Sequence, residues 1–498
     1  MKLMLRRLGP LVVLLITLTA VQAAPKPNIV FILVDDLGYA DLACQGSKDI
    51  RTPNIDTLAA TGIRFTQAYV TAPQCGPSRA GIMTGLNQAR FGYMGNDDHS
   101  GLPDPKVLPL MPEVLKTAGY RTGLMGKWHI GHGTEYLLAE KGRSNKPVEL
   151  LPAERIACAK PWLRGFDEGL FQISGSGYYF PFKAPFNRHP GSHYFTFDPS
   201  GAEPAEIHLN EDAYSTDFVT DAALDFIRKG DETPFFLYVA YAAPHTPLQA
   251  KQADIEANSH IKDEKRRTFA GMMTCLDANI RRVLDLLGQN GLRENTLIVF
   301  LSDNGGPTSQ NTSRNDPLTG FKGDVHEGGL RVPCLMSWPA AFPQGSVYSN
   351  PISSLDLLPT FAAASGAQMN KEVDYDGIDL MPYLKIDSSV KEPPHQALYW
   401  SWGEKKALRV GDYKWLDAGS VTRTQPARGV FNLSQSPVES KSTLLTTPEK
   451  EDELKRHDGA YWSARLGKLT PRNESTTPQS QDFRSPTSIR THKSSEKQ

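Results

Sequence analysis

The stretch from Thr71 to Gly85, TAPQCGPSRAGIMTG, contains a lone cysteine followed closely by Pro77 and Arg79. Pro77 suits the first turn of a helix, where its missing N–H costs nothing, so we expect Cys75 just before a helix N-terminus. That end carries free N–H groups and a positive partial charge, which favour an anion. Arg79, one turn further in, can reach the same place. These groups predict a site for a tetrahedral oxyanion, and the alternative is a half-buried structural cysteine.

Polar residues also follow four segments that we predict to be strands of a parallel sheet. The segments are 28–34, 120–126, 234–241 and 296–302, and the residues that follow them are Asp35, Asp36, Lys127, His129, His245, Asp303 and Asn304. The carboxyl ends of parallel strands line one edge of the sheet, and ligands bind there. We therefore expect these residues, far apart in the chain, to meet in one crevice.

The carboxylates and the amide in this set are hard oxygen ligands. Taken singly, Asp35-Asp36 and Asp303-Asn304 each also suit a turn or a helix cap. Taken together, three carboxylates and an amide oxygen suit Ca²⁺ or Mg²⁺ rather than zinc, which prefers His or Cys. A divalent cation beside Cys75 would polarise the oxygens of a bound anion and help to orient a nucleophile.

The basic residues complete the predicted crevice. Lys127 and His129 are two residues apart in an extended segment, so their side chains face the same side. His245 lies in a stiff loop between two prolines. Lys322 lies in the segment GFKGD. Taken alone it is weak evidence for a site residue, because most lysines are solvated.

The elements that position these residues alternate between strand and helix, which predicts a mostly parallel α/β sheet. We expect a further strand over 63–70 and helices over 53–61, 108–118, 211–228, 263–288 and 352–364. The segment 152–200 is rich in Gly, Pro and aromatic residues, so we predict a long excursion of loops with room for one hairpin. After Asp376 the pattern changes to strands over 397–402 and 406–415, which indicates a small antiparallel unit.

The ends of the chain have their own patterns. Residues 1–23 resemble a secretion signal, because Lys2, Arg6 and Arg7 precede a short apolar core and a small-residue cleavage site. The core is too short for a mature anchor, so we expect a periplasmic or secreted protein with no membrane anchor. We predict domains over 24–375 and 376–470 and a disordered tail over 471–498. The formal net charge of −1 gives no basic field for nucleic acid.

The spacing Cys-x-Pro-Ser-Arg at Cys75 resembles the signature of the formylglycine-dependent (type I) sulfatases. Other blocks resemble that family in the same order: 28–39 (NIVFILVDDLGY), 126–131 (GKWHIG), 164–167 (RGFD), 302–306, 320–333 and 410–415. The resemblance implies an alkaline-phosphatase-like α/β domain, with a large mostly parallel sheet flanked by helices and a small C-terminal antiparallel α+β subdomain. It also implies sulfuric ester hydrolase activity.

The resemblance implies a chemical role for each polar residue. Cys75 would be oxidised to formylglycine (3-oxoalanine), whose hydrate attacks sulfur. The ligands of one Ca²⁺ would be modified Cys75 with Asp35, Asp36, Asp303 and Asn304. Sulfate oxygens would be held by Arg79, Lys127 and Lys322. His245 would protonate the leaving alcohol, and His129 would assist the release of sulfate.

The implied partners are a sulfated carbohydrate and a maturation enzyme, either formylglycine-generating or anaerobic. Export favours a large external substrate such as a sulfated polysaccharide fragment. Two other functions stay open, namely a phosphonate or phosphate ester hydrolase of the same fold and a non-catalytic glycan-binding relative. Conversion of Cys75 would leave four cysteines whose pairing is open, Cys44, Cys158, Cys275 and Cys334.

Contacts to the substrate are less well defined by the sequence. Residues 96–99, His132 and Arg314 suit either the pocket or solvated loops. The aromatic residues between Tyr178 and Phe195 suit either stacking on sugar rings or simple loop packing. Glycosylation sequons are present at Asn311, Asn432 and Asn473.

Overall fold

The protein is described from a computed structural model. The described residues are 25–96, 102–131, 157–172, 177–181, 194–207, 210, 212–420 and 423–468. The predicted signal segment, the predicted tail, His132 and residues 97–99 lie outside them. None of the helices in these described ranges is long and apolar enough to cross a membrane.

A large sheet forms the centre of the molecule. The described part of the chain contributes eleven strands to it: β1 Asn28–Val34, β2 Ile63–Tyr69, β3 Arg121–Lys127, β4 Glu168–Gln172, β5 Phe195–Phe197, β6 Ala205–Glu206, β7 Phe235–Ala240, β8 Thr296–Ser302, β9 Arg331–Ser337, β10 Ser346–Tyr348 and β11 Ile352–Ser353. Their order is β10-β2-β9-β8-β1-β7-β3-β4-β5-β6, with β11 beside β2. Strands β8, β1, β7, β3 and β4 are parallel, and β9 and β5 are antiparallel to their neighbours.

Helices cover both faces of this sheet. They are α1 Pro53–Ala60, α2 Cys75–Thr84, α3 Met111–Lys116, α4 Ser215–Arg228, α5 Gln252–Ala257, α6 Glu264–Gln289, α7 Thr308–Asn311, α8 Glu327–Leu330, α9 Leu357–Ser365, α10 Met381–Leu384 and α11 Pro448–Arg465. Alternate residues of β1 enter different cores, because Phe31 packs in one and Ile32 in the other. A strand buried on both faces needs an unbroken apolar run, which NIVFILV supplies.

A second, antiparallel sheet lies in the C-terminal part of the chain. Its strands among the described residues are β12 Ala397–Trp402, β13 Lys405–Val410, β14 Tyr413–Asp417, β15 Arg428–Asn432 and β16 Leu444–Leu445, in that order. The α11 residue Leu454 packs with Leu408, Trp415 and Val430 of this sheet. The predicted fold class, a large mostly parallel α/β sheet with a small antiparallel unit, is confirmed.

Several predicted elements are wrong in extent or type. The segment 406–415 is not one strand, because Gly411 takes a φ of 55° and turns the chain between β13 and β14. The predicted helix over 352–364 begins at Leu357, after a short strand and a 3₁₀ turn. Within 152–200, β4 and β5 form an antiparallel pair, in agreement with the hairpin allowed for, but β4 also joins the large sheet parallel to β3, which was not predicted.

Two predicted helices are shorter than expected at their ends. The helix predicted over 108–118 spans Met111–Lys116, and the one predicted over 211–228 begins at Ser215. All five cysteines are free thiols, so the pairing left open by the sequence has no disulfide in the structure.

Candidate active site

Cys75 is the first residue of α2 rather than the residue before it, and it is 1% exposed. Its Sγ lies 3.3 Å from Asp35 Oδ1 and 3.1 Å from Lys322 Nζ. Burial raises the pKa of the thiol well above its usual range, and the charge of Asp35 acts in the same direction, against Lys127 and Lys322. An unmodified Cys75 thiol would therefore stay protonated and be a poor nucleophile.

The carboxylates come from the ends of two adjacent parallel strands. Val34 of β1 pairs with Ser302 of β8, so the residues that follow these strands meet. The backbone N–H of Asp36 donates to Asp303 Oδ1 (3.3 Å), and Asn304 Nδ2 donates to Asp36 Oδ1 (2.7 Å). Asp36 has a φ of 67°, a left-handed conformation that costs energy in a residue with a side chain.

Three cations, two of them fully buried, face these three carboxylates. Arg79 makes two contacts with Asp303 Oδ2, from Nε (2.9 Å) and Nη2 (2.8 Å). Lys127 Nζ donates to Asp35 Oδ2, and Lys322 Nζ lies 2.6 Å from Asp36 Oδ1. Arg79 and Lys127 are fully buried. The structure thus brings residues from β1, α2, β3, β8 and the segment after α7 into one crevice, as the sequence predicted.

Burial and neighbouring charges shift the pKa values of Asp303 and Asp35 in opposite directions. Burial raises the pKa of Asp303 to about 6, with the charge of Asp35 in the same direction and Arg79 and Lys127 against it. Burial also acts to raise the pKa of Asp35, but Lys127, His245, Arg79 and Lys322 together hold it well below its usual range. Asp35 therefore stays ionised, whereas Asp303 depends on nearby positive charge to remain so.

The donor set fits a hard divalent cation. Asn304 Oδ1 is fully buried and has no hydrogen-bond partner in the structure, although the Nδ2 of the same amide is used. A buried amide oxygen without a partner is costly, and a cation would satisfy it. Ligand atoms of Asp35, Asp36, Cys75 and His245 all lie within 4.8 Å of one another. The carboxylate oxygens of Asp35 and Asp36 and the amide oxygen of Asn304 are the type of ligand that Ca²⁺ and Mg²⁺ prefer.

Two histidines border the crevice. His245 Nδ1 lies 2.5 Å from the carbonyl of Thr246, and its Nε2 lies 3.4 Å from Asp36 Oδ2. Burial lowers the pKa of His245 despite the charges of Asp35 and Asp36. His129, two residues beyond Lys127, is buried with a φ of 52°. Its carbonyl is so close to α2 that a Cβ on Gly76 would lie 3.3 Å from it.

The sequence did not single out three supporting residues. Tyr238, in the middle of β7, accepts from Arg79 Nη1 (3.3 Å), and the hydroxyl in an otherwise apolar strand was the signal available. Asn311 Nδ2 donates to the Asp36 carbonyl (3.1 Å) from a fully buried position, which does not suit glycosylation at this sequon. Asn315 Oδ1 accepts from the N–H of Gly306, just beyond Asn304.

Of the residues with alternative interpretations, Asn96 lies at the site and Arg314 does not contact it. Asn96 Oδ1 accepts from the N–H of Gly76 (2.9 Å), at the start of α2. Arg314 instead pairs with Asp49 (3.2 Å) and is half exposed.

Comparison with known proteins places the chain among enzymes with related names. A family model described as Sulfatase matches residues 27–367. Arylsulfatase A of Homo sapiens is 35% identical over 468 residues, which cover 89% of this chain and 85% of that protein. N-acetylgalactosamine-6-sulfatase of Sus scrofa is 30% identical, over 79% of this chain and 72% of that protein.

Solved structures agree with these relatives. Ps i-CgsB in complex with k-i-k-neocarrahexaose is 33% identical, with a TM-score of 0.73, covering 90% of this chain and 96% of that chain. The phosphonate monoester hydrolase of Agrobacterium radiobacter is 19% identical, with a TM-score of 0.60, over 88% of this chain and 94% of that chain, and shares the fold.

Proposed function

Since the chain belongs to the sulfatase family and is a sulfuric ester hydrolase, we propose that it is an exported enzyme that removes O-sulfate esters from sulfated oligosaccharides. The observation that carries the proposal is the position of Cys75. Its Sγ lies at the N-terminus of α2, between Lys322 Nζ and Asp35 Oδ1, in a crevice with three cations. A tetrahedral dianion suits this combination of helix terminus and fixed positive charge.

The nucleophile in this proposal is Cys75 converted to formylglycine, whose hydrate would supply the attacking oxygen. The raised pKa of the unmodified thiol supports this assignment, because a protonated thiol is a poor nucleophile. Asp35 and Asp36 are the nearest carboxylates that could receive a proton from the attacking group. A maturation enzyme would be the required partner.

The cations would bind and orient the sulfate group. Arg79, Lys127 and Lys322 are each held by a carboxylate, so their positions are set before the substrate arrives. Charged groups fixed in this way stabilise developing charge without reorganising during the reaction. Ca²⁺ held by Asp35, Asp36, Asp303 and Asn304, with modified Cys75, would act as a Lewis acid toward the sulfate oxygens.

The histidines would move protons. The Nδ1 of His245 is committed to the carbonyl of Thr246, so Nε2 is the atom that faces the crevice. We assign this atom as the acid that protonates the leaving alcohol. The negative charge of Asp36, 3.4 Å away, would help Nε2 to hold the proton until it is transferred. We assign His129 to the release of sulfate.

The substrate class and the location rest on similarity and on the N-terminal sequence. The solved complex with k-i-k-neocarrahexaose and the relative named N-acetylgalactosamine-6-sulfatase both concern carbohydrates. Residues 1–23 have the pattern of a secretion signal, and export would suit a sulfated polysaccharide fragment as substrate.

The test is sulfate release from a panel of defined sulfated oligosaccharides, with Cys75→Ala as the control. The panel covers algal galactans, ulvan, fucans and glycosaminoglycans. We expect wild type to release sulfate from one class of oligosaccharide. In Cys75→Ala, the rate of sulfate release should fall by at least about 10⁴-fold. A phosphate ester and a phosphonate ester run in parallel would identify the alternative hydrolase if they were cleaved faster. Mass spectrometry of the Cys75 peptide from the native host would contradict the proposal if it showed only intact thiol.

A further inference from the structure

We propose that the turn between β12 and β13 forms a subsite for an unsulfated pyranose ring next to the sulfated sugar, with the Trp402 indole as its floor. The proposal rests on the sulfatase function above and narrows the substrate. It requires a chain of at least two sugars, with the second ring placed beside Lys322.

A cavity of about 270 Å³ opens at this turn. Its walls include Trp402, Glu404, Lys405, Met94, Gly419 and Ser420. Three separate segments thus contribute an indole, a thioether, a carboxylate and a hydroxyl. Sugar rings offer an apolar C–H face to aromatic side chains and hydroxyl groups to polar ones, so this lining suits a pyranose.

One side of the cavity is joined to the nucleophile through Lys322. Lys405 Nζ donates to the carbonyl of Gly323 (2.5 Å), and a Cβ on Gly323 would lie 3.9 Å from the outer ring of Trp402. The preceding residue, Lys322, has its Nζ 3.1 Å from Cys75 Sγ. Two consecutive residues therefore span the distance from the indole to the nucleophile.

The other side is joined to the start of α2. Met94, on the cavity wall, is two residues before Asn96, whose Oδ1 accepts from the N–H of Gly76. On each flank, a residue close to the cavity wall, Lys322 or Asn96, thus contacts Cys75 or Gly76. A sulfated sugar held at Cys75 would present its adjoining ring toward Trp402.

The charges of the cavity favour a neutral ring over a second sulfate. Lys405, the cation on the wall, already lies 3.6 Å from Asp324 and donates to a carbonyl. Glu404 accepts from Ser420 Oγ (2.8 Å) and would repel an anion. Hydroxyl groups can bond to Glu404 and Ser420, whereas a sulfate would meet a carboxylate and a cation that is already paired.

The experiment compares substrates of two lengths in wild-type enzyme, Trp402→Ala and Trp402→Phe. The substrates are the sulfated sugar cleaved in the panel, as a monosaccharide and as an oligosaccharide with an unsulfated neighbouring ring. We expect wild type to prefer the longer substrate by about tenfold in kcat/KM, the size of a good ring contact. In Trp402→Ala this preference falls below about twofold, mainly through KM, and Trp402→Phe keeps part of it.

Tyr413→Ala is the matched control. Tyr413 is on the same sheet as Trp402, and its ring lies 4.9 Å from Nζ of Lys450 in α11, much as the Trp402 ring lies 5.0 Å from Lys405 Nζ. It removes an equivalent aromatic–lysine pair away from the cavity, and we expect the length preference to survive. Melting temperatures of all three variants check that each is folded.

The outcomes separate this inference from the proposed function. If Trp402→Ala keeps the length preference while wild type releases sulfate, the subsite is wrong and the function stands. If wild type prefers a neighbouring ring that carries sulfate, and this preference depends on Trp402, a neutral-ring subsite is wrong. If wild type releases no sulfate from any substrate, the function fails and the subsite fails with it.

Discussion

Two clusters of charged side chains lie inside this protein with almost no access to solvent. One is the crevice around Cys75, described above. The other, which we call the clamp, consists of Tyr69, Glu327, Lys414 and Glu439. Lys414 Nζ lies 2.9 Å from Glu327 Oε1 and 3.0 Å from Glu439 Oε1, and Tyr69 Oη donates to Glu327 Oε2 (2.7 Å).

The two clusters differ in whether each buried polar atom has a hydrogen-bond donor or a cation beside it. In the clamp, one oxygen of Glu439 accepts from the backbone N–H of Glu327 (2.5 Å). Its other oxygen makes no hydrogen bond but lies 3.0 Å from Lys414 Nζ, so every glutamate oxygen in the clamp is close to a positive or donating group. In the crevice, Asn304 Oδ1 has no hydrogen-bond partner, and Asp36 and His129 have left-handed backbones. In the clamp the buried charges compensate one another, which suits a structural role, whereas the crevice keeps an amide oxygen with no donor or cation beside it, which suits a ligand.

The two clusters are also connected. Glu327 lies five residues after Lys322, and Glu439 N donates to Thr319 Oγ1 (2.9 Å), three residues before it. The segment that carries Lys322 therefore contacts the C-terminal part of the chain on both sides, through Glu439 before Lys322 and Lys414 after it. The clamp thus anchors the segment that carries Lys322, whose Nζ reaches Asp36 and Cys75 in the crevice.

Of the variants that test this comparison, Asn304→Ala should have the largest effect on activity, because it removes the amide oxygen that has no hydrogen-bond partner in the crevice. We expect sulfate release to fall by about 10²-fold, because the proposed cation would lose one of its oxygen ligands. Ca²⁺ should raise the melting temperature of wild type by mass action, and the variant should need at least about tenfold more Ca²⁺ for the same rise. An unchanged Ca²⁺ response in the variant would show that Asn304 is not a ligand.

Lys414→Met should give a large loss of stability instead. It leaves Glu327 and Glu439 buried without their shared cation, and breaking a buried pair costs about 3–5 kcal/mol. Denaturant unfolding measures this loss. Lys455→Met, which breaks an exposed pair with Glu451, is the control and should cost less than about 1 kcal/mol. Equal losses in the two variants would mean that the clamp does not stabilise the fold.

Glu439→Gln should have the smallest effect, which depends on pH. Burial raises the pKa of Glu439 from 4.5 to about 7 in the folded protein, even though Lys414 acts against it. The folded state then binds more protons than the unfolded state between these pH values, so this group's stabilising contribution is lost as pH rises from 4.5 through 7. Glutamine cannot titrate, and the variant should lose less stability than wild type between pH 5 and pH 7.5.

Glu327 contributes with the opposite sign and serves as the internal check on that measurement. Burial acts to raise its pKa, but Lys414 and Arg331 outweigh burial and lower it to about 2. Its contribution is present above pH 4.5 and is lost as pH falls toward 2. Loss of stability on the acid side should therefore persist in Glu439→Gln. A variant with the same slope as wild type between pH 5 and pH 7.5 would contradict the assignment to Glu439.

Local patterns in the sequence were enough for several elements. Strands β1, β8 and β12 have the predicted bounds because each is a contiguous run of strand-forming residues. Strand β9 was not predicted, since Pro333 interrupts the pattern and its place is set by antiparallel pairing with β2 and β8. The start of α2 was predicted within one residue from Pro77.

The sequence by itself determined the crevice, because polar residues at the ends of parallel strands must meet at one edge of the sheet. The roles of these residues stay predictions until they are tested. Only the tertiary structure decided which residues support them. Tyr238 and the clamp are joined to their partners across 159, 87 and 112 residues, and no local period encodes such contacts. The Tyr238 contact depends on how α2 packs beside the large sheet, and the clamp depends on how the C-terminal part of the chain packs against it. Neither leaves a periodic signal in the chain.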